Sequence, residues 1–240
     1  MENYNERIQE KRDLSFGTIF NSAIALFKKV WLQGFITLLL TFVTILPFYI
    51  ILYIPMIAAG ITDPEALRND EFPPMVALAM GILAPVFAIG VATFGLALNA
   101  AFLKICKEKD FGEQTKDDYF FFFRDGRLGK VFLLALYTIG ISLLGMLACG
   151  IGLFYVMVPL SLVPAFLAFA QDLTATEIVK ASFVLGNKNW LVIFGLVFVM
   201  GIVAELGFLL CCVGILFTAM LSKIPTYYMY KDGVGFQTEV

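Results

Sequence analysis

Glu205 and Asn99 are the side chains in this 240-residue sequence whose type and position best suit action on a ligand. Glu205 is the single charge between positions 189 and 222, and Asn99 lies in the charge-free run 72–103. A carboxylate at membrane depth is costly to bury, which favours a proton or substrate role. Glu205 also lies 15 residues after Trp190, ~22 Å along a helix, where it reaches the outer headgroups. Both roles stay open for Glu205, and Asn99 is expected to hydrogen-bond between helices or at the interface.

Residue types that the sequence lacks restrict its chemistry further. It contains no histidine, which excludes histidine-held metals and the Ser-His-Asp and Cys-His arrangements of hydrolases. No Walker lysine–serine pair follows its glycines, and no C-x-x-C pair is present. We therefore predict no catalytic residue, no cofactor, no metal and a protein that is not an enzyme.

Four cysteines leave one redox question open. Cys106 falls in a segment predicted to be cytoplasmic, whereas Cys149, Cys211 and Cys212 fall at predicted outer turns. A bridge from Cys149 to Cys211 or Cys212 would form if these turns touch in an oxidising compartment. The alternative is that all three serve as small apolar packing residues.

The composition is typical of a membrane protein. Hydrophobic residues make up 60% and charged residues 15% of the chain, against roughly 45–50% and 25% in soluble domains. The net charge of −2 supplies no field that attracts a nucleic acid. We expect membrane lipids as partners, with another membrane or cytoplasmic protein as a further option, and no nucleic acid.

Charge-free runs predict the first four membrane spans. Residues 30–62 and 72–103 each exceed the roughly 20 apolar residues that one span needs. The run 131–171 would be ~62 Å long as one helix, so it must fold back on itself. Residues 149–152, with two glycines, are the natural turn.

The last apolar run predicts two further spans. Residues 189–222 contain one charge, and a second helix is accommodated if it continues to about Tyr230. Lys223 would then extend its ammonium toward the membrane surface. The sequence thus predicts an all-α, polytopic transmembrane helix bundle with six spans in a single membrane domain, 1–240.

Basic residues predict the orientation of these spans. Sixteen of the 17 Lys and Arg residues fall in segments that a six-span chain places on one side, and Arg68 is the exception. Because cytoplasmic loops carry the excess of Lys and Arg, both termini are expected in the cytoplasm.

The segments that precede the spans have the pattern of amphipathic interfacial helices on the cytoplasmic side. The first such segment places apolar residues on one helical face, and Ser15 is placed to cap that helix. The face comprises Phe16, Ile19, Phe20, Ala23, Ile24 and Phe27. Later in the chain, Thr174 and Glu177 form the spacing of a capping box.

Two self-alignments indicate an internal repeat. Residues 15–32 match 174–191 at an offset of 159, and 144–152 match 206–214 at an offset of 62. The matches predict three units of like orientation. Their bounds would be 1–103, 104–170 and 171–240.

A stripe of small residues runs along the second predicted span. Small residues allow close backbone approach, so this stripe predicts a helix-packing seam, with the wall of a lipid or substrate groove as the alternative. The seam comprises Ala77, Gly81, Ala84, Ala88, Ala92 and Gly95.

Three segments carry a resemblance to a known group. They are KRDLSFGTIF near the N-terminus, DLTATEIVKASFVLGNKNW in the middle and CCVGILFTAMLSKIPTYYMY near the C-terminus. In these segments the chain resembles bacterial six-helix integral membrane proteins that are related to the membrane domain of glycerophosphoryl diester phosphodiesterase. The resemblance implies the bacterial cytoplasmic (inner) membrane. It implies no active site, because the catalytic domain of those enzymes is a separate unit.

These observations predict a non-enzymatic integral membrane protein that acts as a scaffold or regulator or that organises lipid. The alternative is a transporter or flippase for an apolar or lipid-like substrate. The two differ in one structural feature. A static module needs no water-accessible cavity between its helices, whereas a polar cavity lined by Glu205 or Asn99 favours the transporter.

Overall fold

The structure, a computed structural model, describes residues 2–11, 13–59, 73–113, 115–148, 150–209 and 214–236. Within these ranges the chain consists of helices joined by turns, without strands, which confirms the all-α class. The helices are α1 (Glu2–Glu10), α2 (Phe16–Ala58), α3 (Pro74–Phe111), α4 (Arg127–Leu147), α5 (Ile151–Phe169), α6 (Ala175–Lys188), α7 (Trp190–Leu209), α8 (Gly214–Thr218) and α9 (Ile224–Gly233).

Five of the described helices, α2, α3, α4, α5 and α7, are long and apolar enough to cross a membrane. The sixth predicted span differs from expectation. Its residues form the short α8, a 3-10 turn at Ala219–Lys223 and then α9, rather than one regular helix. Pro225 supplies a physical reason, since it lacks the N–H that a continuous α-helix would bond to the carbonyl four residues earlier.

Helices α2 and α3 form a hairpin much longer than the other helices. α2 has 43 residues and α3 has 38, which correspond to ~64 Å and ~57 Å. The predicted amphipathic segment at the start of α2 continues into the span without a break. Of the predicted face, Ile19 and Ala23 are buried and Phe16 is exposed, while Leu26 and Val30, outside that face, are also buried. Ser15 is the N-cap residue of α2, but its side chain makes no capping bond and instead accepts a hydrogen bond from Thr18.

Two close glycine pairs shape the helical hairpins. α5 begins directly after Gly150, whose φ of 76° falls in the region that favours glycine, within the predicted turn 149–152, of which Cys149 lies outside the described residues. A Cβ at Gly145 would lie 3.1 Å from the carbonyl carbon of Gly152. In the same way, a Cβ at Gly207 would lie 2.9 Å from the carbonyl carbon of Gly214. These are equivalent positions of the offset-62 match, although the three-unit repeat stays a prediction.

Helix α6 packs along α5. A Cβ at Gly186 would come within 2.9 Å of the Cα of Pro159, and the Trp190 indole donates to the Tyr155 carbonyl at 3.3 Å. The predicted capping box is confirmed at its start, where Thr174 and Glu177 bond each other reciprocally. α6 is therefore part of the packed bundle and not a detached surface segment.

The small-residue stripe does not pack where we expected. Ala77, Gly81, Ala84 and Ala88 are exposed, and no described residue lies within 4 Å of a Cβ built at Gly81 or Gly95. The partner helix α2 packs against a different face of α3. There Phe48 fills the space at Gly90. Ala92 and Gly95 are half-buried, so within the described chain the stripe of Ala77, Gly81, Ala84, Ala88, Ala92 and Gly95 is mostly outward-facing.

Candidate functional site: a cavity around Lys223 and Asn99

The structure separates the two candidate polar residues. Glu205 is exposed on α7 and has no hydrogen bond or ion pair among the described residues. Asn99 is half-buried on α3 and lines a cavity of about 380 Å³. Of the two, Asn99 is therefore the one that lines a cavity.

Four of the five long apolar helices meet at this cavity, together with the C-terminal segment. Its polar lining comes from one amide, four hydroxyls and one ammonium, and the rest is apolar. The lining residues are Leu96, Asn99 and Leu103 of α3, Thr138 of α4, Leu160, Ser161, Val163 and Pro164 of α5, Val197 and Gly201 of α7, and Ser222, Lys223 and Thr226 of the C-terminal segment.

Lys223 is the charged residue of the cavity. No described carboxylate oxygen lies within 4.0 Å of its Nζ, and no described acceptor hydrogen-bonds it. The side chain is exposed, so it meets the cavity from its open side. It ends the 3-10 turn Ala219–Lys223, and a short stretch of 3-10 geometry within a longer helix often marks a hinge. The fold thus places a positive charge without a described partner at the edge of this cavity.

The four hydroxyl groups of the cavity lining already donate hydrogen bonds to backbone carbonyls. Thr138 donates to the Leu134 carbonyl at 2.9 Å, and Ser161 donates to the Val158 carbonyl at 2.7 Å. Ser222 and Thr226 donate in the same way to carbonyls of their own turn, at 2.8 and 2.7 Å. These four side chains therefore offer only acceptor lone pairs to a ligand.

A second polar cavity, of about 460 Å³, lies between the end of α3 and the end of α5. Its lysines are already engaged by aromatic rings. Lys104 Nζ lies 3.1 Å from the ring centroid of Phe121, and Lys107 Nζ lies 4.6 Å from that of Phe236. Because these charges have partners within the chain, the cavity around Lys223 is the better candidate for ligand binding.

Asp110, near the end of α3, anchors the C-terminal helix. It accepts hydrogen bonds from Tyr227 at 2.7 Å and Tyr228 at 3.0 Å, and it pairs with Lys231 at 2.5 Å. Tyr227 is fully buried, so the network lies inside the packed part of the molecule. It fixes α9 against α3, two turns beyond Lys223.

The predicted disulfide between Cys149 and Cys211 or Cys212 involves residues outside the described ranges. Cys149, Cys211 and Cys212 are not described, so pairing among them stays a prediction. Cys106 is a free, buried thiol. Within the described ranges, no group of three or more Cys, Asp or Glu side chains is placed to hold a metal ion.

The sequence pattern pointed to Asn99 and placed Lys223 toward the membrane surface, which agrees with its exposed side chain, but it did not predict that both residues line one cavity. One signal was present: Thr218, Ser222 and Thr226 recur every four residues and place a polar stripe on the last helical segment. No family model, curated protein or solved structure matches this chain.

Proposed function

We propose that this protein is a multi-pass membrane protein that binds a lipid-like amphiphile in the cavity around Lys223 and Asn99 and moves it across the bilayer. The cavity itself is the observation that carries the proposal, because it joins a polar group set to apolar walls. Leu96, Leu160 and Val197 suit a hydrocarbon chain, while the ammonium and the amide suit a headgroup. A wholly apolar substrate would not require Lys223.

The break before α9 supports movement as well as binding. The cavity is lined on one side by the 3-10 turn and on the other by α3, α4, α5 and α7. A helix interrupted beside a binding site is a recurrent feature of transporters. Lys223 lies at this interruption, so a change in the segment's geometry would move the charge.

The second candidate is a non-enzymatic module that organises lipid or acts as a scaffold or regulator. Asp110 and its three partners favour it, because they hold α9 rigidly against α3. In such a module the cavity would retain a bound lipid without transferring it between leaflets. Binding and transfer must therefore be measured separately.

Filling the cavity tests the proposal. Gly201 lines it, and no described atom lies within 4 Å of a Cβ built there, so Gly201→Leu enters open space. Gly81→Leu is the matched control, since Gly81 is also helical and open but lies on the exposed stripe. The purified variants would be reconstituted into liposomes. Their binding and leaflet transfer of a short-chain fluorescent lipid would then be measured.

We expect Gly201→Leu to reduce binding at least about tenfold, because a filled pocket cannot bury the ligand, and Gly81→Leu to leave it unchanged. Transfer that is lost with binding supports the transporter. Binding without transfer in the unmodified protein supports the lipid-organising module instead. Equal behaviour of the two glycine variants would contradict both.

We further propose that the protein lies in the bacterial cytoplasmic (inner) membrane with both termini in the cytoplasm. The support is the distribution of Lys and Arg together with five long apolar helices. Single-cysteine variants test it by thiol labelling of intact cells. Asn69→Cys should react with an impermeant reagent from outside, and Gln114→Cys only after the membrane is opened. The opposite pattern would reverse the orientation.

A further inference from the structure

We infer that the polar group accepted by the Lys223 cavity is an anion, so that the ligand is an anionic amphiphile; this rests on the function proposed above. Three features of the cavity carry the inference: its charge, its hydrogen-bonding capacity and its size.

The charge of the cavity lining has one sign. Lys223 is the charged side chain among the lining residues, and none of them is Asp or Glu. Because the Lys223 ammonium has no described partner, an anion that enters the cavity beside it gains a charge-assisted hydrogen bond. A cationic or wholly neutral headgroup offers no such compensation.

The hydrogen-bonding groups of the cavity lining also suit an anionic headgroup, because they divide into free donors and groups that can only accept. Lys223 and Asn99 are its free donors, whereas Thr138, Ser161, Ser222 and Thr226 have spent their hydrogens on backbone carbonyls. An anion accepts from the ammonium and the amide. Hydroxyls on the same headgroup donate to the four threonine and serine oxygens. A phosphate or carboxylate headgroup with a hydroxyl satisfies both sets.

The size of the cavity limits how much of the ligand enters. Its volume of about 380 Å³ lies near the lower end of the ~300–1,000 Å³ range of small-molecule pockets. It holds a headgroup and the first part of a chain, not two complete acyl chains. The apolar walls formed by Leu103, Val163 and Val197 accept that first part of the chain.

The test compares ligands of different charge on the full chain in mild detergent. Native mass spectrometry would measure the binding of phosphatidylglycerol, phosphatidylcholine and diacylglycerol, which are anionic, zwitterionic and neutral. Inorganic phosphate would be added as a competitor. The variants are Lys223→Met, which removes the charge, and Lys223→Arg, which keeps it. Lys28→Met, which alters an exposed lysine of α2, is the matched control.

We expect the unmodified protein to prefer phosphatidylglycerol at least about tenfold, as befits a hydrogen-bonded charge. Lys223→Met should reduce this preference to within about twofold, whereas Lys223→Arg and Lys28→Met should retain it. Thermal unfolding of each variant checks that it is folded. If Lys223→Met does not fold, Lys223→Gln replaces it, because its neutral amide also removes the charge, and the same loss of preference for phosphatidylglycerol is expected.

Specific results would overturn the inference. One is a preference that falls equally in Lys28→Met, since general surface charge would then explain it. Another is displacement of phosphatidylglycerol by millimolar inorganic phosphate, which would identify a free anion as the ligand. Equal binding of all three lipids in a Gly201-dependent manner would refute the anion and leave the proposed function standing. Absence of binding of any of them would refute the proposed function as well.

Discussion

Lys223 and Lys231 lie eight residues apart on one C-terminal helical segment, yet their surroundings are opposite. Lys231 pairs with Asp110 at 2.5 Å, and that carboxylate also accepts hydrogen bonds from Tyr227 and Tyr228. Lys223 lines a cavity and has no partner among the described residues. The difference separates a charge that holds the fold together from a charge that is free to meet a ligand.

The energetic consequences of the two positions also differ. Removing one member of the partly buried Asp110 network leaves the others without a partner, which is destabilising. Removing a charge that has no partner leaves nothing unpaired and relieves its own desolvation cost. Measurements of the free energy of unfolding therefore test this difference between the two lysines without any knowledge of the ligand.

The largest effect is expected at Asp110. Asp110→Ala leaves Tyr227, Tyr228 and Lys231 without their shared acceptor and should lower the free energy of unfolding by roughly 3 kcal/mol. Denaturant unfolding in detergent micelles, followed by circular dichroism, would measure it. Asp13→Ala is the control, because Asp13 is 82% exposed and 4.0 Å from Lys188, and its effect should stay below about 0.5 kcal/mol. Similar losses in both variants would show that the Asp110 network does not stabilise the fold.

The lysine pair gives the direct comparison. Lys231→Met should lower the free energy of unfolding by about 2 kcal/mol, because Asp110 keeps its two tyrosine donors but loses its ion pair. Lys223→Met should leave it unchanged or raise it. The same unfolding assay measures both. A loss at Lys223 as large as that at Lys231 would reveal a structural partner for Lys223 and remove the contrast.

A smaller loss of stability than at Asp110 or Lys231 is expected at the capping box of α6, where Thr174 holds the carboxylate of Glu177. Hydrogen bonds from the backbone N–H and hydroxyl of Thr174 hold the pKa of Glu177 below its usual range. A lowered carboxyl pKa stabilises the fold above the unfolded value of about 4.3, and this contribution is lost as the pH falls through the folded value. Thr174→Ala should cost about 1 kcal/mol near neutral pH, the usual cost of a lost N-cap.

The pH dependence distinguishes the capping box from a general effect of the substitution. The stability gap between the unmodified protein and Thr174→Ala should narrow in acid, as Glu177 becomes protonated in both. Unfolding curves from about pH 7 to about pH 3 would measure the gap. If the stability difference between the unmodified protein and Thr174→Ala stays constant over that pH range, Glu177 does not contribute to the stabilising effect of Thr174.

Local sequence patterns predicted the parts of the fold that depend on neighbours in the chain. The capping box at Thr174 and the turn at Gly150 each follow from a few consecutive residues. The long apolar helices follow from charge-free runs in the same way. The irregular shape of the last predicted span could not be predicted from the sequence, because the effect of Pro225 on the preceding turn depends on how that turn packs.

The cavity was beyond prediction because its lining comes from distant parts of the chain. Asn99, Ser161 and Lys223 are each ordinary residues for the end or middle of an apolar helix, and only tertiary packing brings them together. The small-residue stripe is mostly outward-facing among the described residues, because composition does not specify which face of a helix meets its partner. Gly90, outside the stripe, is where Phe48 packs.

The contacts of α1 have a consequence for how the chain assembles during synthesis. Tyr4 bonds Asp172 across 168 positions, and Arg7 bonds the carbonyl of Gly235 across 228. The glycine pairs of the helical hairpins, in contrast, close over seven positions and form as soon as each hairpin is made. α1 therefore reaches its final position only after Asp172 and Gly235 have been synthesised, long after the hairpins between them can close.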